Sequence, residues 1–208
     1  MSGLDPVLLA PLRLEALAAR RGAPACRVER LGMGPARAKA AIARIACSIP
    51  PGSPAVVLGV AGALVEGTHP GDVVVASELS STEGGARVPL ASAPEVAALL
   101  SQAGLSVREA PVVSSPTIVN GAGARREASS GGAVAVDMES YWCAPLAAER
   151  PFAVVRVVLD LPGRELWSPA SLPAAAVAFR TLVRSARALA RWSPAGAGEP
   201  RFQKVGDL

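Results

Sequence analysis

Aromatic residues are scarce: three Phe, three Trp and one Tyr make up 3% of the 208 residues. Any core must therefore be built from Ala, Val and Leu. Histidine occurs once, as His69, and cysteine three times, as Cys26, Cys47 and Cys143, far apart. No zinc spacing can be assembled from these. Odd, scattered thiols do not make a disulfide framework, so reduced thiols in a cytoplasmic protein are expected. Long apolar runs are also missing. The longest, Ala55 to Val65, is broken by Gly59 and Gly62 and is too short to span a bilayer. Residues 1–20 carry Asp5, Arg13 and Glu15 inside their apolar stretch, which does not fit a secretory leader. Nor is one charge sign in strong excess. Twenty-one basic against 17 acidic residues give +4, too little to imply nucleic acid.

What is present suits a folded domain. Half of the residues are hydrophobic and 18% are charged, with a mean hydropathy of +0.35. That excludes a disordered chain. The length fits one domain, expected over residues 1–192, with a Gly- and Pro-rich tail over 193–208. Twenty Gly and 19 Pro without a fixed period exclude collagen and argue against a solenoid.

Apolar and helical patterns alternate along the chain. Strands are expected at Pro6–Ala10, Ala25–Met33, Ala55–Val60, Gly71–Ser77, Val107–Ser114, Ala133–Val136 and Phe152–Leu159. Helices are expected at 12–20, 36–46, 94–102, 138–150 and 172–192, with a loop and short helix at 121–128. The alternation, and the uniformly apolar strands, predict an α/β domain with a mixed, mostly parallel central sheet flanked by helices. Ligands of such sheets bind beyond the carboxyl ends of the strands.

Several residues near those ends could carry chemistry. Gly32-Met33-Gly34-Pro35-Ala36-Arg37 follows a strand and opens a helix. Such a turn can offer backbone N–H groups to an anion, and Arg37 would suit one; an ordinary glycine turn is the plainer reading. Gly59 to Ala63 reads as a second glycine turn. Asp137 is a plausible helix N-cap with Glu139 in the first turn. Capping accounts for one carboxylate more easily than two, and a carboxylate there can accept hydrogen bonds from ribose hydroxyls. Asp160 ends an apolar strand whose one other charge is Arg156. A partly desolvated carboxyl there suits a general acid, with an Asp160–Arg156 ion pair as the alternative.

In this order the segments resemble the nucleoside phosphorylase and nucleosidase superfamily, over roughly Val7 to Val183. The resemblance rests most on Val136-Asp137-Met138-Glu139-Ser140 and Arg156-Val157-Val158-Leu159-Asp160. It implies a three-layer sandwich in which Met138 packs on a ribose and Glu139 binds its hydroxyls. Asp160 would protonate or hydrogen-bond N7 of the departing purine. Gly34, Arg37, Ala61 and Gly62 would contact phosphate, Glu15 would orient a nucleophilic water in the nucleosidase branch, and Ile118 and Val119 would line the base pocket. The chain departs from the family in carrying Leu159 where Ser is usual, Ala61-Gly62 where Ser or Thr often stands, and Ile118 where Phe is common.

Within the superfamily the chain looks most like short bacterial members associated with hopanoid biosynthesis. That likeness implies release of adenine from a 5′-substituted adenosine such as adenosylhopane. Phosphate would be the nucleophile and co-substrate, with no other cofactor and no metal. A hydrolase acting on methylthioadenosine or futalosine, or a non-catalytic nucleoside-binding member, is the alternative. Trp142 and Trp167 would line an apolar channel for the 5′ group. A homodimer or higher homo-oligomer is expected, without nucleic acid. Arg180, Arg184, Arg187 and Arg191 make a basic stripe on the last helix. It would suit peripheral contact with an anionic membrane, a solvated helix face being the plainer reading.

Overall fold

A computed structural model describes residues 4–160 and 172–194. The elements alternate as the patterning predicts. They are β1 (Val7–Ala10), α1 (Arg13–Gly22), β2 (Val28–Arg30), α2 (Pro35–Ala46), β3 (Ala55–Ala63), β4 (Val73–Ser81) and β5 (Val88–Pro89). Then follow α3 (Ala93–Gln102), β6 (Val107–Ser114), α4 (Gly121–Ser129), β7 (Ala135–Asp137), α5 (Ser140–Cys143), β8 (Phe152–Asp160) and α6 (Leu172–Leu189). Residues 161–171 and 195–208, which include Trp167 and nearly all of the expected tail, lie outside the described residues.

One mixed sheet contains all eight strands. β1 pairs in parallel with β2 and β3, β3 with β8, and β6 with β4 and β7. The β3–β7, β4–β5 and β4–β8 pairs are antiparallel. β3 touches β8 on one side and β7 at its end, and β8, β4, β6 and β7 follow one another. These five strands therefore close into a ring. β3 and β8 sit at its heart, and Ala55–Leu58 and Phe152–Val158 are buried. That is why Ala55–Leu58 reads as an unbroken apolar run and Phe152–Val158 as one interrupted by Arg156 alone.

With few aromatics, helices must approach closely. α1 packs on α6 with Ala18, Ala19 and Gly22 among its buried residues. A Cβ on Gly22 would lie 2.2 Å from the Val183 carbonyl oxygen and 2.7 Å from the Ala186 Cβ, so only glycine fits. Trp142, expected to line a channel, is instead buried in the main core.

Two further expectations change. The helix expected over 138–150 is only α5 followed by a 3-10 turn at Ala144–Ala148, because Pro145 cannot continue an α-helical ladder. The glycine turn expected at Gly59–Ala63 is not a turn. β3 runs on through both glycines to Ala63, and the reason lies in what β8 places beside them.

Candidate active site

β8 carries two charged side chains, and a glycine of β3 stands opposite each. Arg156 is in register with Gly59 and Asp160 with Gly62. A Cβ on Gly59 would come within 2.4 Å of Arg156 Nη1 and 2.7 Å of Glu15 Oε1. A Cβ on Gly62 would lie 2.9 and 3.3 Å from the Asp160 carboxylate oxygens. The second match depends on a register shift between Ala61 and Gly62. Continued without it, the pairing of Ala61 with Val158 would set Asp160 opposite Ala63. The extra residue moves it to the glycine, the kind of re-aiming that bulges near active sites perform.

Arg156 is the centre of the cluster and is fully buried. Its Nε lies 2.7 Å from Asp137 Oδ2, and Nη2 lies 3.5 Å from Glu139 Oε2. Nε and Nη2 also donate to Ser140 Oγ, at 3.2 and 2.9 Å. Nη1 has no hydrogen-bond partner and faces the Glu15 side, where the missing Gly59 side chain leaves room. Burial lowers the pKa of the Arg156 guanidinium, but Asp137, Glu139 and Glu15 outweigh it and hold Arg156 above its ordinary value.

Glu15 reaches the cluster from the start of α1. Its carboxylate accepts from the Leu12 N–H at 2.6 Å and the Val60 N–H at 2.7 Å. Burial raises its pKa, against the pull of Arg156 and of both N–H groups. Asp137 is not the N-cap expected of it, a place that Glu139 takes, but its Oδ1 accepts from the N–H groups of Glu139 and Ser140 at 3.1 and 3.2 Å. The same oxygen accepts from Ser114 Oγ at 2.5 Å, at the end of neighbouring β6. Glu139 accepts from the Gly34 N–H at 3.0 Å. Its pKa is raised to about 7, first by burial and then by the nearby Asp137 charge, with Arg156 opposing. Met138, between the two carboxylates, is half-buried.

The structure thus brings Glu15, Glu139 and Gly34 together around Arg156. Asp160 lies at the far end of β8, buried, and its partner is not Arg156. Arg125 of α4 donates Nη2 to Asp160 Oδ2 and Nη1 to the Ala63 carbonyl, the latter at 2.6 Å. Arg37 stays apart: it is exposed at the start of α2 and packs over Gly32. Gly34 donates its N–H to Glu139, so the anion this turn serves is a carboxylate of the same chain. Ala61 and Gly62 lie within β3. Ile118 is 49% exposed, and Val119 packs against Leu64, Val113, Ala133 and Val136.

Sequence reasoning left out Arg156 as a hub, along with Ser114, Ser140 and Arg125. A lone arginine inside an apolar strand was the available signal for Arg156, because a buried cation requires buried anions. Arg125 stands beside Arg126 in a polar helix and carried no comparable signal.

A family model described as the phosphorylase superfamily matches residues 18–191. No curated protein matches the chain by sequence. Solved structures do. A futalosine hydrolase mutant of Helicobacter pylori superimposes with a TM-score of 0.73 at 15% identity, over 89% of this chain and 98% of that one. A 5′-methylthioadenosine/S-adenosylhomocysteine nucleosidase of Neisseria meningitidis, in complex with methylthio-immucillin-A, gives 0.69 at 19%, over 88% and 99%. The corresponding nucleosidase of Campylobacter jejuni gives 0.71 at 11%, over 89% and 99%.

Proposed function

The chain belongs to the phosphorylase superfamily, and from that premise we propose that it is a purine nucleosidase. It would cleave the N-glycosidic bond of a 5′-substituted purine nucleoside with water. The observation that carries this reading is the charge balance of the buried cluster: three carboxylates, Glu15, Asp137 and Glu139, face one guanidinium, Arg156. A phosphate dianion there would have to compete for Arg156 with carboxylates of the same chain that already pair with it. Arg37 is too peripheral to take its place. A neutral water suits the cluster, and a buried carboxylate with a raised pKa suits the base that takes its proton.

In this mechanism Glu139 and Met138 hold the ribose. The bond between C1′ and the base breaks and its electron pair leaves with the base. Water oxygen bonds C1′ and gives a proton to Glu15. The base gains its proton at the Asp160 end of the site, and solvent restores the balance. Leu12, whose N–H Glu15 accepts, and Met33, next to Gly34, are exposed beside the cluster, and the 5′ group would extend toward them. These side chains favour an apolar substituent, such as the hydrocarbon of adenosylhopane.

Adenine release from 5′-methylthioadenosine and from a 5′-alkyl adenosine, with and without phosphate, tests the reading. Equal release in both conditions, with free sugar as product, is expected. Release only with phosphate, giving a sugar 1-phosphate, would replace water by phosphate. Adenine binding without release from any nucleoside would leave a binding protein. Glu15→Gln should lower turnover by about a hundred- to ten-thousand-fold, the usual worth of a general base.

A further inference from the structure

α4 is nine residues long and buries only Arg125 among them. Its guanidinium sends its hydrogen bonds outside its own helix. Nη1 goes to the Ala63 carbonyl, Nη2 to the Asp160 carboxylate, and Nε is buried without a hydrogen-bond partner. The two side chains of the ion pair are 3% and 10% exposed. A pair this deep is a poor anchor, since desolvation offsets most of its attraction and an apolar contact would hold the helix as well. What the pair does instead is fix a direction. Asp160 ends its strand opposite Gly62, which has no side chain to hold it, and Arg125 also approaches the space that a Gly62 Cβ would fill, to 3.4 Å.

We propose that Arg125 is a positioning residue for Asp160, locking the carboxylate in place and with it the seat of the purine's hydrogen-bonding edge. That edge carries the N7 acceptor beside either a 6-amino donor or a 6-oxo acceptor. A carboxylate only accepts and a guanidinium only donates. Arg125 takes up Asp160 Oδ2, so Oδ1 is left to accept from a 6-amino group, which fits a 6-aminopurine. A 6-oxopurine would bring its oxygen against the carboxylate. The proposal takes its meaning from the nucleosidase reading, but its test does not depend on turnover.

The test is a double-mutant cycle read by calorimetry with free adenine and free hypoxanthine as probes. Wild type, Arg125→Gln, Asp160→Asn and the double variant are compared, each checked for folding by thermal melting. Wild type is expected to prefer adenine. Arg125→Gln should weaken adenine binding about tenfold, which is about 1.4 kcal/mol, and erode the preference. In the Asp160→Asn background the same change should cost less than about twofold, because a residue acting through another is silent once that other is gone. Arg125→Lys should recover part of the loss. If Arg125→Gln fails to fold, Arg125→Lys takes its place in the cycle, since it keeps the charge but loses the planar fork. An equal loss in both backgrounds, or none in the wild-type background, overturns the proposal. Wild type that binds no adenine overturns this and the purine reading together. The expected coupling in a protein that releases no base would sink the nucleosidase reading and leave Arg125 in its role.

Discussion

Arg156 offsets the charge of three acidic residues, so its loss should be felt far beyond one hydrogen bond. Arg156→Met leaves Asp137, Glu139 and Glu15 facing one another in a buried space. Breaking a buried pair in this way typically costs about 3–5 kcal/mol. Urea unfolding at pH 7.5 should show a loss of that size, smaller at pH 5, where the carboxylates can take up protons. Glu139 should set the acid side of the activity profile. Its pKa is raised to about 7, and only the ionised form accepts hydrogen bonds at both oxygens. The kcat/KM for base release should therefore fall as pH drops through about 7, and Glu139→Gln should lose that limb along with most of the activity. At the end of β8, Asp160→Asn should cost about a hundred- to ten-thousand-fold in turnover with the fold retained, as removal of one acid–base group does.

At the level of elements, β3 and β8 work as a matched pair, and the match is between glycine and charge. Gly59→Ala would push a methyl group to within 2.4 Å of Arg156 Nη1. Overpacking of this kind typically costs about 1–3 kcal/mol, and here it would also displace Glu15. A melt lowered by several degrees together with near-complete loss of base release is the expected result. Gly123→Ala, on α4 with open space around its Cβ and no positive φ, is the contrasting control and should leave the melt unchanged or slightly raised. The same pair of strands marks where the sequence could be read and where it could not. Apolar runs made β1, β6 and β8 plain, and Val107–Ser114 is bounded as patterned. Gly59 and Gly62 signalled a turn by the usual rules, yet they are strand residues kept small for side chains arriving from a segment a hundred residues away. No local pattern encodes that. Glu15 and Glu139 could be placed through family likeness. Arg125 could not be told from Arg126, because helix geometry buries one and exposes the next, and only the packed fold decides which.

For the molecule as a whole, the buried carboxylates make stability depend on pH in an unusual direction. The folded-state pKa values of Glu15 and Glu139 lie above the ordinary 4.5. Their contribution to stability is fully present below the unfolded value and is lost as pH rises through the folded one, about 7 for Glu139. The ligand-free protein should therefore unfold more easily at pH 8 than at pH 5.5. The slope should be at most about 1.4 kcal/mol per pH unit for each such group, and Glu139→Gln should flatten it. A melt that rises steadily from pH 5.5 to 8 would contradict this. One further consequence follows from β8, which carries Arg156 at its middle and Asp160 at its end and is paired with β3 and β4 along its flanks. At about 3.3 Å per strand residue, the span from Arg156 to Asp160 is a ruler cut from covalent geometry. Substitutions at Val157 or Val158 change how the ruler is packed, and compensating changes nearby can repair that. Inserting or deleting one residue changes its length, and no side chain elsewhere can restore it. Across descendants of this chain, the interval from Arg156 to Asp160 should therefore drift freely in letters and never in number.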